Sequence, residues 1–217
     1  MTAVLEANNL ATPANAAAGP LPFAGPNVYV FDGLLPEATQ SALVEAMHWM
    51  PVHFLNRWDR FRSHELDMHW YYPIAFSDEP YTADVEPVLD SLDENLWPVL
   101  DTWKAIKKAV DCPFRLYECM LSANTFGTEG RVHQDIADAS ARKDHWTALV
   151  YCNREWKLEW AGETLFFDER GEIIGAVMPK PGRIVVFSGD PPHVGRSVSR
   201  ICPTDRRVLV YKFWSRS

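Results

Sequence analysis

His133 and Asp135 stand two residues apart in Val132-His-Gln-Asp135, and His193 lies 58 residues beyond in Asp190-Pro-Pro-His193. In extended backbone, residues two apart project to the same side, so one metal ion can meet both side chains of the first pair. Two imidazoles and a carboxylate on one face of an octahedral ion leave three adjacent positions open. That arrangement suits non-haem Fe(II), which must take a cosubstrate and O₂ together. A lone His-x-Asp is a weak signal, more often an exposed turn pair than a ligand set. The distal histidine and a positive anchor, both in the expected order, strengthen it here. Arg207 comes 14 residues after His193 and opens the strand-like run Val208–Trp214. A guanidinium there is suited to a bidentate pair with the far carboxylate of a dicarboxylic cosubstrate. Alternation sends its neighbour Arg206 the other way, toward solvent, although sequence alone does not settle which arginine points inward.

The elements that must position these residues read as a helical half followed by a β half. Asn27–Asp32 alternates as a strand and stops at Gly33. Pro36 and Glu37 open a helix with Leu43, Ala46, Met47 and Met50 at helical spacing, ended by Pro51. Residues 52–73 mix Phe54, Trp58, Phe61, Trp70, Tyr71 and Tyr72 with Arg57, Arg60 and Arg62 in neither period, which reads as loop and short strands. A second helical region is expected over 82–110, with a break at Pro98. From Phe114 the texture turns to short β runs at Phe114–Leu121, Thr147–Cys152, Glu163–Phe167, Ile173–Val177, Arg183–Phe187 and Val208–Trp214, separated by Gly- and Pro-bearing turns. The pattern predicts a mainly β, α+β domain: a sandwich or jelly roll braced by helices. Residues 1–25 read as a flexible tail, and 26–217 as a single domain, helix-rich over 34–110 and with its catalytic core over 114–214.

Between Arg115 and Trp214 the chain resembles the catalytic core of the 2-oxoglutarate/Fe(II) oxygenases, in their prolyl 4-hydroxylase-like branch. The matching stretches are Val132–Asp135, Thr147–Asn153, Trp160–Phe167, Met178–Phe187 and His193–Trp214, in order and at compatible spacing. The resemblance implies a double-stranded β-helix fold with iron near one mouth of the barrel. It implies Fe(II), 2-oxoglutarate and O₂ as cofactor and cosubstrates, with His133, Asp135 and His193 as metal ligands. It further implies that Arg207 binds the C5 carboxylate of 2-oxoglutarate and that the Tyr151 hydroxyl supports it, with Thr147 lining the same pocket. The chain departs from the branch where many relatives carry a tyrosine, about ten residues before the first ligand. Ala123 and Asn124 stand there, and Asn124 becomes a candidate cosubstrate contact. The implied reaction releases succinate and CO₂ while a C–H bond is oxidised, with hydroxylation as the default. The intact Asp135 carboxylate argues against halogenation.

Other residues carry less. His145 lacks a partner at ligand spacing and reads as a surface or supporting residue. Glu163 and Thr164 read as barrel stabilisers, and Cys152 as a small buried thiol. For substrate contact, Trp58 and Arg62 in the aromatic, arginine-bearing segment are the candidates, because loops on a rigid scaffold usually carry specificity.

Composition limits the partners. With 47% hydrophobic and 23% charged residues the chain can bury a core. A net charge of −8 disfavours nucleic acid. No apolar run reaches membrane-spanning length, no basic region precedes an apolar core at the N-terminus, and four cysteines show no CxxC spacing. The expectation is a reduced, cytoplasmic protein acting on a small molecule, with homodimerisation open. Two alternatives stand: a prolyl or peptidyl hydroxylase acting on protein, and a non-catalytic, cupin-like metal- or ligand-binding sensor.

Overall fold

The computed structural model describes residues 27–58, 66–79, 81–110, 114–128 and 130–215. The expected N-terminal tail, Arg60, Phe61, Arg62 and the side chains of Arg57 and Trp58 lie outside the described residues.

Val28–Phe31 forms β1 and Glu37–Trp49 forms α1. Pro36 takes the N-cap of α1, where a missing N–H removes no helical hydrogen bond, and Thr39, Leu43 and Met47 recur at four-residue spacing on its buried face. The region expected to be helical over 82–110 holds two helices, Glu86–Asp90 (α2) and Trp97–Val110 (α3), with the 3₁₀ turn Glu94–Leu96 between them. The break therefore precedes Pro98, which sits in the first turn of α3, where proline fits.

The aromatic segment, expected as loop and short strands, is strand throughout its described part from His53 to Trp58 and from Leu66 onward. His53–Trp58 (β2) and Leu66–Phe76 (β3) pair antiparallel as a hairpin. Cross-strand rings hold it: Phe54 meets Trp70 edge-on at 5.2 Å, and His53 stacks on Tyr72 at 6.5 Å. Rings on both faces hide the two-residue period, and Pro73 falls at a register shift against β4.

The remaining strands are Phe114–Asn124 (β4), His145–Tyr151 (β5), Thr164–Phe167 (β6), Ile173–Val177 (β7), Ile184–Ser188 (β8), His193–Gly195 (β9) and Arg206–Ser215 (β10). They build a seven-stranded sheet in the order β1-β8-β5-β10-β4-β3-β2 and a three-stranded sheet β7-β6-β9, all pairs antiparallel. One apolar cluster joins Leu43, Met47, Trp103 and Ile106 of the helices to Leu116, Leu121, Ala148, Val150, Leu209, Tyr211 and Phe213 of the large sheet. A second cluster, with Tyr151, Phe166, Phe187, Val208 and Val210, lies between the two sheets. The large sheet is thus covered by helices on one face and by the small sheet on the other. That is the double-stranded β-helix arrangement expected from the resemblance.

This layering decides which way each residue of β10 points. Leu209, Tyr211 and Phe213 face the helices, whereas Val208 and Val210 face the inter-sheet space. Lys212 and Arg206, on the parity of Val208 and Val210, belong to the inner face, and a bulge separates Lys212 from Phe213.

Candidate metal centre and cosubstrate cavity

His133, Asp135 and His193 meet at the inner face, with one potential ligand atom from each lying within 4.8 Å of the others. The backbone brings them together. His133 N–H donates to the His193 carbonyl at 3.0 Å, and His193 N–H donates to the His133 carbonyl at 2.9 Å, so the two histidines form an antiparallel bridge. Each imidazole then has its tautomer set by a carbonyl. Nδ1 of His133 donates to Arg131 O at 2.8 Å, and Nδ1 of His193 donates to Pro191 O at 3.1 Å. With its proton on Nδ1, each ring presents the Nε2 lone pair toward Asp135. His193 Nε2 lies 3.6 Å from Asp135 Oδ2, and His133 Nε2 lies 3.9 Å from Oδ1. The ring of Phe187 packs on His193 at 4.6 Å and limits its rotation.

Asp135 is only 6% exposed, and protein donors reach both of its oxygens. The Thr147 hydroxyl donates to Oδ2 at 2.6 Å, and Lys212 Nζ stands 3.2 Å from Oδ1. A buried carboxylate with two donors and two facing imidazole lone pairs is a donor set that fits a divalent ion. Thr147 therefore supports a metal ligand, a more specific placement than the pocket lining expected for it.

A cavity of about 110 Å³ runs from the triad past Leu149 and Val208 to Arg206, with Asn124 and Thr164 at that end. Here the structure corrects the expectation for the arginines. Arg207 lies on the helix-facing side of β10: Nε pairs with Asp205 at 2.9 Å, and Nη1 donates to the carbonyls of Met47 and Met50. It caps the C-terminal turn of α1 and cannot reach the cavity. Arg206, expected to face solvent, is 3% exposed and lines the cavity. Its Nη2 donates to Thr164 Oγ1 at 2.8 Å and its Nη1 to Asn124 Oδ1 at 3.3 Å, while its guanidinium lies 5.2 Å from the centre of the Tyr151 ring. Its buried Nε has no hydrogen-bond partner, and no carboxylate pairs with it among the described residues. A buried guanidinium without an anion is unfavourable by several kcal/mol (~3–5), so this end of the cavity fits a carboxylate ligand. Gly195 leaves the room: a Cβ there would come within 3.3 Å of Arg206 Nη1.

Asn124, expected as a cosubstrate contact, is buried and holds Arg206 at the cavity, but Tyr151 acts indirectly. Its hydroxyl bonds Thr164 Oγ1 at 2.8 Å and Val177 O at 3.3 Å, so it orders Thr164 beneath the guanidinium. Thr164, read as a barrel stabiliser, is a cavity residue, and Lys212 is a site residue that the sequence reading misses. Both arginines and Lys212 lie in a run that is apolar on both parities, so no polar face distinguishes inside from outside. The shared parity of Arg206 and Lys212 is the signal that could have found them. His145 is fully buried, with Nε2 bonded to the Tyr117 hydroxyl at 2.8 Å, and is not a surface residue. Cys152 is buried as expected, and burial pushes its thiol up to about 12. Of the substrate candidates, the backbone of Trp58 ends β2, and Arg62 lies outside the described residues. His69 on β3 lines the cavity instead, together with Met120 and Gly130.

The His-Asp-His set, with a buried arginine at the far end of one cavity inside a double-stranded β-helix, fits a 2-oxoglutarate/Fe(II) oxygenase site. Residues 119–215, nearly half of the chain, match the family model described as the 2OG-Fe(II) oxygenase superfamily, whose enzymes use Fe(II), 2-oxoglutarate and O₂. Among solved structures, the chain is similar to a prolyl-4-hydroxylase from Pseudomonas putida, at 20% identity and a TM-score of 0.56, covering 88% of this chain and 94% of that one. It is also similar to a prolyl hydroxylase from Trichoplax adhaerens, solved with a hypoxia inducible factor peptide fragment, at 12% identity and a TM-score of 0.59, covering 87% and 84%. A third is HygX from Streptomyces hygroscopicus, solved with nickel, 2-oxoglutarate and hygromycin B, at 13% identity and a TM-score of 0.52, covering 87% and 83%. These likenesses concern the fold alone. No curated protein sequence matches the chain.

Proposed function

We propose that the protein hydroxylates a C–H bond of a small polar molecule, such as an amino-acid or natural-product intermediate, and that Arg206 grips the far carboxylate of 2-oxoglutarate. The observation that carries this reading is the convergence, in one cavity, of three side chains able to hold a metal ion and a buried guanidinium with no carboxylate partner among the described residues. When bound, Fe(II) with 2-oxoglutarate and O₂ supplies the oxidising power that cleaves the C–H bond, leaving succinate and CO₂. The chain's own part is to bind and orient. His133, Asp135 and His193 hold the metal on one face, Arg206 with Thr164 and Asn124 fixes the cosubstrate, and Leu149, Val208 and Val210 keep the intervening space apolar.

At about 110 Å³ the cavity is small beside the roughly 300–1,000 Å³ of pockets for drug-sized ligands. It suits the cosubstrate alone, which leaves the primary substrate to the mouth, beside His69 and the β2–β3 hairpin. A small-molecule ligand is seen in the structurally similar HygX. A peptide substrate is the second reading, favoured by the peptide-bound relative and by β2, the last strand of its sheet among the described residues, whose outer edge suits strand addition. The test is succinate release from the iron-loaded enzyme, measured against a panel of amino acids and small metabolites and, in parallel, a panel of proline-containing peptides. Stimulation by a small molecule supports the proposal, and stimulation by peptides alone replaces it with the second reading. Absence of any 2-oxoglutarate turnover favours the sensor.

A further inference from the structure

Lys212 is 4% exposed on the inner face of β10, and its ammonium has two carboxylate neighbours, Asp135 Oδ1 at 3.2 Å and Glu118 Oε2 at 3.3 Å. The strand register explains the grouping. Lys212 is the Cα partner of Thr147 on β5 and of Glu118 on β4, so the three residues form one row across the sheet beneath Asp135. Thr147 takes one oxygen of Asp135 and Lys212 the other. Asp135 and Glu118 thus face each other across a single ammonium, and only Asp135 belongs to the triad.

Orientation of Asp135 alone would need no charge at this position, since Thr147 already supplies a donor. The ammonium's added contribution is electrostatic. Without it, Glu118, whose side chain is only partly exposed, would be an uncompensated carboxylate beside a divalent-ion site and attracted toward the ion. A second carboxylate on the ion would occupy one of the three positions that the cosubstrate and O₂ require.

We infer that Lys212 is a positioning residue that holds Glu118 out of the metal's coordination sphere and limits Asp135 to one metal-facing oxygen, so that three adjacent positions stay open. This rests on the metal and cosubstrate reading above. It also gives Glu118, which no other feature of the site uses, a defined role as counter-charge to a buried lysine.

The test uses the full chain loaded with Co(II), whose visible spectrum reports coordination number, titrated with 2-oxoglutarate. Lys212→Met should bind Co(II) at least as tightly as the parent protein, show a changed cobalt spectrum, and need at least tenfold more 2-oxoglutarate for its spectral response. Adding Glu118→Gln to Lys212→Met should restore the parent spectrum and bring the 2-oxoglutarate response back to within a few-fold, since the competing carboxylate is gone. A Lys212→Met protein that keeps the parent spectrum and response overturns the inference, as does one that melts normally but loses Co(II). Should the single variant not fold, the double variant, which leaves no uncompensated charge, must still give the parent spectrum, and its failure to do so overturns the inference equally. If the parent protein itself binds neither Co(II) nor 2-oxoglutarate, the metal and cosubstrate reading is what has failed.

Discussion

Two adjacent arginines divide binding from stability at the level of single residues. The Arg206 guanidinium stands in the cavity over Tyr151 with only neutral partners, while Arg207 caps α1 through the Met47 and Met50 carbonyls and pairs with Asp205. Arg206→Ala removes the charge that would meet the cosubstrate carboxylate, an interaction worth roughly 3 kcal/mol, so the 2-oxoglutarate requirement should rise on the order of 10²-fold. Arg207→Ala should leave that requirement unchanged and lower stability by about 1–2 kcal/mol, through the loss of hydrogen bonds to a helix C-terminus and of a partly buried ion pair. Titration of 2-oxoglutarate together with urea unfolding of both variants separates the two roles. A shifted cosubstrate requirement in Arg207→Ala would contradict the assignment of faces on β10.

At the scale of elements, one tie between strands is sensitive to acid. Asp32, just past β1, receives Arg183 at 2.8 and 2.9 Å and Lys180 at 2.9 Å, joining the end of β1 to the turn that leads into β8. Hydrogen bonds from Arg183, and then from Lys180, hold the Asp32 carboxyl at about 2, below its ordinary 3.8. A carboxyl depressed on folding contributes stability above its unfolded pKa and loses it as pH falls through the folded value. The contribution of Asp32 is therefore complete above about pH 4 and gone near pH 2. The site is partly open to solvent, so the amount is about 1 kcal/mol. Asp32→Asn should lower the melting temperature at pH 7 and flatten its dependence on pH between 4 and 2. An unchanged acid limb in the variant would mean that other carboxylates set it.

For the molecule as a whole, the candidate metal centre borders the inter-sheet core, where Phe187 packs on His193, and lies across the large sheet from the larger, helix-side core. In that helix-side core Trp103 stacks on Tyr211 and meets Phe213 edge-on, on the face of the large sheet opposite the triad. Chelation should leave the far-ultraviolet circular dichroism unchanged while lowering the melting temperature by a few degrees, because an ion that binds only the folded state adds stability by mass action. Alanine at His133, Asp135 or His193 should abolish turnover and remove that metal-dependent gain, with the metal-free protein still folded. Unfolding on chelation would instead make the ion a structural one. Among the described residues no helix is long and apolar enough to cross a membrane.

The sequence by itself determined the candidate ligand set and the β-rich class, because both are written in local chemistry. His133 and Asp135 share a side by the two-residue period of extended chain, and the turn residues punctuate six short strands whatever they pack against. Tertiary structure alone decided which of Arg206 and Arg207 enters the cavity. β10 is buried on both faces, by helices on one side and the small sheet on the other, so polarity carries no mark of inside or outside. The β2–β3 hairpin was hidden for the same reason, its rings lying on both faces. The row Thr147–Lys212–Glu118 comes from three strands far apart in the chain, and only their register sets it beneath Asp135. Residue types and local spacing name a chemistry, whereas the sheet's layering and register determine which charges reach it.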